Sequence, residues 1–97
     1  MLATGKRNVN MSTEFFVRIP SSVQKSMRKI PFPWIERIKM AIDSILTEPF
    51  QGEKMLGRYK HARKVRVWPY RIIYVVDKGN RTVSLLEVDH RGSMSYD

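Results

Sequence analysis

The chain has 97 residues, enough for one hydrophobic core but not for two, and 42% of them are apolar, as in ordinary folded proteins. It has no cysteine, which excludes a disulfide framework and a thiolate metal site, and no apolar run approaches the ~20 residues that span a bilayer. The net charge of +9 and the pI near 10.3 favour a polyanionic partner, first of all nucleic acid, and we expect a cytoplasmic protein.

The N-terminal segment predicts a flexible extension and then a strand. Residues 1–12 are polar and without periodicity, so we interpret them as the extension and expect a single domain over residues 13–97. The aromatic and β-branched run at 13–19 predicts the first strand.

Two helices are predicted next. Ser21 or Ser22 is expected to cap the first helix, which must end before Pro31 because proline removes a backbone donor. A second helix is predicted from about Pro33 to Glu48, since isoleucines recur there at three- and four-residue steps.

Three antiparallel strands are predicted to follow, at about residues 62–68, 70–77 and 82–89. This order of elements predicts an α+β domain, in which the helices pack on one face of a small twisted sheet. The alternation in RKVRV directs Val65 and Val67 toward the helices, so Lys64 and Arg66 are expected on the opposite face.

A tight turn at Trp68-Pro69 would bring cations together. A two-residue turn, which a cis peptide bond would suit, places Arg66 directly opposite Arg71 and on the same face as Lys64. Like charges opposite each other destabilise a strand pair, so the three cations predict a functional site.

A structural role for Arg71 is the alternative. A three-residue loop after the second of these strands would place Glu87 opposite Arg71, whereas a two-residue loop would place Val88 there. The length of this loop also decides whether His90 or Arg91 lies on the same face of the sheet as Arg71. The other polar candidates, Tyr70 and Tyr74, alternate with apolar neighbours and are predicted to lie in the core.

The residues limit the possible chemistry. No ligand cluster for a metal is apparent, since His61 and His90 are the only histidines, and no cofactor is expected. Asp89 and His90 are adjacent on a strand and would point to opposite faces. A cationic face with nearby aromatics can instead cleave RNA, because the 2′-hydroxyl and the adjacent phosphate are supplied by the substrate.

The stretch KVRVWPYRIIYVVDKGNRTVSLLEVDHRGSMSY, residues 64–96, resembles the RelE/ParE superfamily of toxins from toxin–antitoxin pairs. It is similar to that family's basic strand, YRxxY pair, hairpin, and final strand ending in HR followed by tyrosine. The preceding EPF and KMLGRYK segments also match the family's Pro-containing helix end and L-x-G connection. The resemblance covers about Glu14 to Tyr96 and implies a RelE-like fold.

The resemblance also implies residue roles. Lys64 and Arg66 would bind the phosphate and activate the 2′-hydroxyl, and Arg71 would stabilise the transition state. Arg91 would serve the leaving group, with His90 as a possible general acid. Tyr96 would stack on a base. The excess of positive charge between residues 53 and 71, rather than the resemblance, adds Lys54, Arg58, Lys60 and Arg63 as residues expected to contact RNA.

Two functions follow from the resemblance. A ribosome-dependent, metal-independent endoribonuclease that cleaves mRNA is the first, because the full set of cations is present. A ParE-type toxin that inhibits DNA gyrase, or an inactive nucleic-acid-binding relative, is the alternative. Either would have a cognate antitoxin as its partner, and a groove beside helix 33–48 is the expected docking site.

Overall fold

The computed structural model of the protein describes residues 15–90, apart from the side chain of Arg58. The expected extension at residues 1–12 therefore lies outside the described residues. Two helices and five strands run in the order β1 (Phe16–Arg18), α1 (Ser21–Arg28), α2 (Trp34–Thr47), β2 (Glu53–Lys54), β3 (Ala62–Val67), β4 (Tyr70–Asp77) and β5 (Thr82–His90). Short 3₁₀ turns occupy Pro49–Gln51 and Gly57–Tyr59.

The five strands form one mixed sheet in the order β1-β5-β4-β3-β2. β1 is parallel to β5, and the other neighbours are antiparallel. The predicted meander is thus the centre of the sheet. The edge strand β2 was not predicted, because two residues are too short to show a strand period.

Both helices cover one face of the sheet. Ile38, Ile42 and Ile45 recur along one side of α2 and are buried against the meander residues Ile72 and Tyr74. The predicted core positions of the tyrosines are confirmed, since Tyr74 is fully buried and half-buried Tyr70 packs on the same cluster. Within residues 15–90, no helix has the length and apolar character needed to cross a membrane.

The start of α1 corrects one prediction. Pro20 occupies the N-cap position and no side chain caps the helix, so neither Ser21 nor Ser22 has the expected role. The Pro20 carbonyl instead accepts a hydrogen bond from the Gln24 N–H at 2.9 Å, and the Gln24 side chain donates to the Ile19 carbonyl at 2.8 Å. The side-chain hydrogen bond at this end of α1 is therefore made by Gln24, a residue of the helix itself, and not by a capping serine.

The turn between β3 and β4 has the predicted register. Val67 lies opposite Tyr70, Arg66 lies opposite Arg71, and the Trp68-Pro69 bond is cis. Trp68 is 70% exposed at the tip. The expected juxtaposition of the two arginines is confirmed.

The second hairpin differs from both predicted loops. Asp77 pairs with Thr82, so the loop has four residues, and a bulge in β5 at Leu86 then shifts the register by one. The residue opposite Arg71 is consequently Asp89, and neither Glu87 nor Val88. A bulge of this kind has no signal in the hydrophobic pattern.

Candidate nucleic-acid interface

The face of the sheet turned away from the helices, here called the outer face, carries charged rows that run across the strands. One row contains Arg66, Arg71 and Asp89, which are consecutive cross-strand partners on β3, β4 and β5. We call Lys64, Arg66 and Arg71 the cationic stripe. The structure brings all three onto this face, as predicted.

The neighbouring row adds acids to the outer face. Lys64 lies between Glu53 on β2 and Ile73 on β4, and Ile73 in turn lies opposite Glu87 on β5. Opposite charges across a strand pair stabilise a sheet by a few tenths of a kcal/mol up to about 1 kcal/mol. The stripe is therefore flanked by carboxylates on both sides.

Members of the stripe differ in their access to solvent. Arg66 is exposed and Lys64 is half-buried, whereas Arg71 is only 1% exposed. The Nη2 atom of Arg71 is buried without a hydrogen-bond acceptor, although the residue takes part in other interactions. Arg66 is thus the member of the stripe best placed to meet a ligand in this conformation.

His90 lies on the helix side of β5. Its cross-strand partner is Tyr70, and the two rings make an edge contact with centroids 5.4 Å apart. The backbone N–H of His90 donates to Asp89 Oδ1 at 2.7 Å, and its side chain is exposed at the end of the strand. His90 therefore does not lie on the same face of the sheet as Arg71, which answers for this residue the question left open by the unknown loop length.

The other predicted leaving-group and stacking residues, Arg91 and Tyr96, lie outside the described residues. The role of Arg58 stays a prediction, because its side chain is not described either.

Three of the residues expected to contact RNA do not join the stripe. Arg63 points to the helix side, where its Nη1 donates to the Phe50 carbonyl at 3.0 Å and to the Gly52 carbonyl at 2.9 Å. Lys54 lies opposite Arg63 in the register, and Lys60 lines the same pocket as both. The basic segment therefore splits between two faces of the sheet.

Part of the outer face is covered. Ala62 and Ile73 form a second small core there, against which Met55 and Tyr59 pack. The part of the outer face around Ala62 and Ile73 is therefore covered, whereas exposed Arg66 and the turn at Trp68 lie beyond it.

Sequence reasoning missed Glu53 on the outer face, which could have been found only by predicting β2, and it missed the pairing of Asp89 with Arg71, which depends on the bulge in β5. Glu87 was considered as the partner of Arg71, but it lies opposite Ile73. Among residues 15–90, no group of three or more potential ligands could hold a metal ion.

Two pKa shifts accompany this architecture. Burial raises the pKa of Tyr74, an effect partly opposed by the hydrogen bond from Gly52 and by the charge of Arg63. Hydrogen bonds from the Asn80 side chain and backbone lower the pKa of Asp77 in the β4–β5 loop. Both groups stabilise turns beside the sheet, and neither lies on the stripe.

The chain matches a known protein family over most of its length. The family described as the ParE toxin of the type II toxin–antitoxin system, parDE, matches residues 17–94. No curated protein sequence matches the chain.

Solved structures with similar folds include the RelBE2 toxin–antitoxin complex of Mycobacterium tuberculosis, with 25% identity and a TM-score of 0.73 over 80% of this chain and 99% of that chain. The archaeal RelE–RelB complex of Pyrococcus horikoshii has 23% identity and a TM-score of 0.67 over 84% and 99%. The YoeB/ParE toxin of Agrobacterium tumefaciens has 15% identity and a TM-score of 0.68 over 78% and 98%. The predicted RelE-like α+β fold is confirmed.

Proposed function

Because the chain belongs to the ParE toxin family, and is thus the toxin of a type II toxin–antitoxin system, we propose that it acts as an endoribonuclease that cleaves mRNA on the ribosome. The 2′-hydroxyl of a nucleotide gives up its proton and its oxygen attacks the adjacent phosphorus, while the bond to the 5′-oxygen breaks. The products are a 2′,3′-cyclic phosphate and a 5′-hydroxyl, once the leaving oxygen has received a proton. The substrate supplies its own nucleophile, so no metal is needed to generate one.

The observation that carries the proposal is the juxtaposition of Arg66 and Arg71 as direct cross-strand partners, with Lys64 on the same face. Such a pair weakens the sheet, and local rules of this kind are broken chiefly at functional sites. Exposed Arg66 would hold the phosphate, and Lys64 would assist activation of the 2′-hydroxyl. The charge of Arg71 behind them would favour the anionic transition state.

The leaving oxygen needs a proton donor at the end of β5. His90 is exposed there, but its side chain lies on the helix side of β5, away from the face of the stripe. Arg91 follows directly in the sequence, and we propose that Arg91 serves the leaving group, with His90 as the alternative donor. Tyr96 would stack on a base, as the resemblance implies.

A specific observation favours the alternative, a ParE-type toxin that inhibits DNA gyrase without cleaving RNA. Arg71 is buried and lies opposite Asp89, which is the environment of a structural arginine. If Arg71 is structural in this way, only Arg66 and half-buried Lys64 of the stripe remain for a ligand.

We propose a cognate antitoxin as the partner of this chain. Support comes from the Mycobacterium and Pyrococcus structures, which are both toxin–antitoxin complexes. An antitoxin segment rich in acidic residues would complement the net charge of +9. The groove beside α2 remains the proposed docking site.

The test is cleavage of mRNA on programmed ribosomes, mapped by primer extension. We expect the purified protein to cut, and the variant Arg66→Ala to cut about 10²–10³-fold more slowly. Arg37→Ala on α2 removes the same exposed charge far from the stripe and is the matched control, expected to cut like the wild type.

A supercoiling assay with DNA gyrase runs in parallel. Inhibition of gyrase by folded protein that leaves mRNA intact would replace the nuclease by the ParE-type function. Equal losses in Arg66→Ala and Arg37→Ala would remove the stripe from the mechanism.

A further inference from the structure

A second cationic site lies on the helix side of the sheet, at the edge formed by β2. It is a pocket of about 200 Å³, here called the edge pocket, lined chiefly by Phe50, Lys54, Lys60, His61 and Arg63. Drug-sized ligands occupy pockets of ~300–1,000 Å³, so the edge pocket suits a smaller group.

The edge pocket concentrates positive charge without an acid. Among the described residues, no carboxylate lines it, and Lys54 lies directly opposite Arg63 across the β2–β3 pair. Within residues 15–90, none of its three cations pairs with an acidic side chain. Two like charges held opposite each other destabilise the strand pair. A bound anion would offset this repulsion, so we expect one in the edge pocket.

Arg63 is held rigidly in the edge pocket. Its Nη1 donates to two carbonyls of the turn after α2, and its guanidinium lies over the Phe50 ring at 5.1 Å from the centroid. The N–H groups of Nε and Nη2 remain for a ligand among the described contacts. A fixed guanidinium with free parallel donors is the group that proteins use to bind phosphate oxygens.

We propose that the edge pocket binds a phosphate group of the RNA backbone, through Arg63 together with Lys54 and Lys60. Side chains alternate along β3, so Arg63 faces the edge pocket while Lys64 faces the stripe. An RNA strand that passes around the β2 edge would thus meet a cation on either side. The edge pocket shares no residue with the stripe, and the proposal does not depend on RNA cleavage.

The first probe is inorganic phosphate, titrated at constant ionic strength into the isotope-labelled full chain and followed by NMR. We expect saturable shifts at residues 54, 60 and 63. The double variant Lys54→Gln/Lys60→Gln should weaken phosphate binding by about tenfold or more, because two charge-assisted contacts are removed. The double variant Lys25→Gln/Lys29→Gln removes the same charge from exposed positions at and just after the end of α1 and should bind phosphate as the wild type does.

The second probe is a single-stranded 2′-O-methyl oligoribonucleotide, which cannot be cleaved because it lacks the free 2′-hydroxyl. We expect it to shift the same signals. The association constant of the oligonucleotide falls as the salt concentration rises. Loss of one phosphate contact in Lys54→Gln/Lys60→Gln should make the plot of the logarithm of this constant against the logarithm of salt concentration less steep by ~0.7. Thermal unfolding of each variant establishes that it is folded.

The outcomes separate the possible ligands. Shifts with inorganic phosphate but not with the oligonucleotide would uphold the phosphate site and overturn RNA as its source. No saturable shift at residues 54, 60 and 63 with either probe, or equal weakening by Lys25→Gln/Lys29→Gln, would overturn the site itself. Cleavage of mRNA could fail in either case without affecting these results.

Discussion

The Tyr74 hydroxyl joins the sheet to the turn that follows α2. It donates to the Pro49 carbonyl at 2.8 Å and accepts from the Gly52 N–H at 3.1 Å, and all of these groups are buried. Gly52 permits the approach, because an added Cβ would overlap the hydroxyl oxygen. A single phenolic group therefore satisfies two backbone groups that water cannot reach.

Tyr74→Phe should consequently lower the free energy of unfolding by about 1–3 kcal/mol, since it leaves the Pro49 carbonyl and the Gly52 N–H without this partner. Urea unfolding would measure the change. Tyr70→Phe is the control, because no hydrogen bond of the Tyr70 hydroxyl is found within the described residues, and it should change stability by less than about 0.5 kcal/mol. Equal effects of the two variants would contradict this account.

The two paired arginines are expected to respond differently to truncation. Arg71 is buried, so Arg71→Ala removes packed atoms and should destabilise the fold by about 2 kcal/mol or more. Arg66→Ala removes an exposed like charge and should leave stability within about 0.5 kcal/mol of the wild type. Urea unfolding of both variants is the measurement, and an Arg71→Ala protein as stable as the wild type would show that the side chain is not packed.

That difference explains why Arg66, and not Arg71, is the informative position for an activity test.

The register that pairs Arg66 with Arg71 could be predicted from the sequence, because the turn at Trp68-Pro69 fixes it. The acid opposite Arg71 could not be predicted. Its identity depends on a one-residue bulge at Leu86, which side-chain periodicity does not encode.

Among the secondary-structure elements, the β4–β5 hairpin depends on a carboxylate. Asp77 Oδ1 accepts from the Asn80 N–H at 3.1 Å, and Oδ2 accepts from the Asn80 side-chain amide at 2.8 Å. These hydrogen bonds lower the pKa of Asp77 from its ordinary value of 3.8. The loop then closes through Arg81, whose φ of 51° is in the left-handed region.

A lowered pKa in the folded state means that the ionised carboxyl stabilises the fold above pH 3.8 and that this contribution is lost as the pH falls through the lower, folded value. Asp77→Ala should therefore be less stable than the wild type at neutral pH, and the difference should shrink in acid. Urea unfolding across this range is the test. A difference independent of pH would contradict the role of the carboxylate.

The long elements were predictable because strong local signals bound them. Prolines flank α2 on both sides, and its isoleucines mark the buried face. The expectation that the face opposite the helices is open was only partly right. Met55 and Tyr59, in the connection after β2, cover the middle of that face. No periodic pattern in the sequence reveals such packing, because it depends on tertiary contacts.

At the scale of the whole molecule, positive charge is distributed over two sides of one small sheet. The cationic stripe occupies the outer face, and the edge pocket lies on the helix side of β2. Residues adjacent in β3 supply both surfaces, because successive side chains alternate. A basic segment that reads as one site in the sequence is therefore divided by the fold, and net charge alone does not identify which side acts on a target.

Expression in bacterial cells distinguishes the two targets proposed for the toxin. If mRNA is cleaved, incorporation of labelled methionine into protein should stop first after induction, while thymidine incorporation into DNA continues. Arg66→Ala should restore protein synthesis, and Arg37→Ala should remain as toxic as the wild type, because only the former lies on the stripe. Comparable levels of soluble protein must accompany each result, since loss of folding would also abolish toxicity. A halt in thymidine incorporation that precedes any change in protein synthesis would instead assign the toxicity to DNA gyrase.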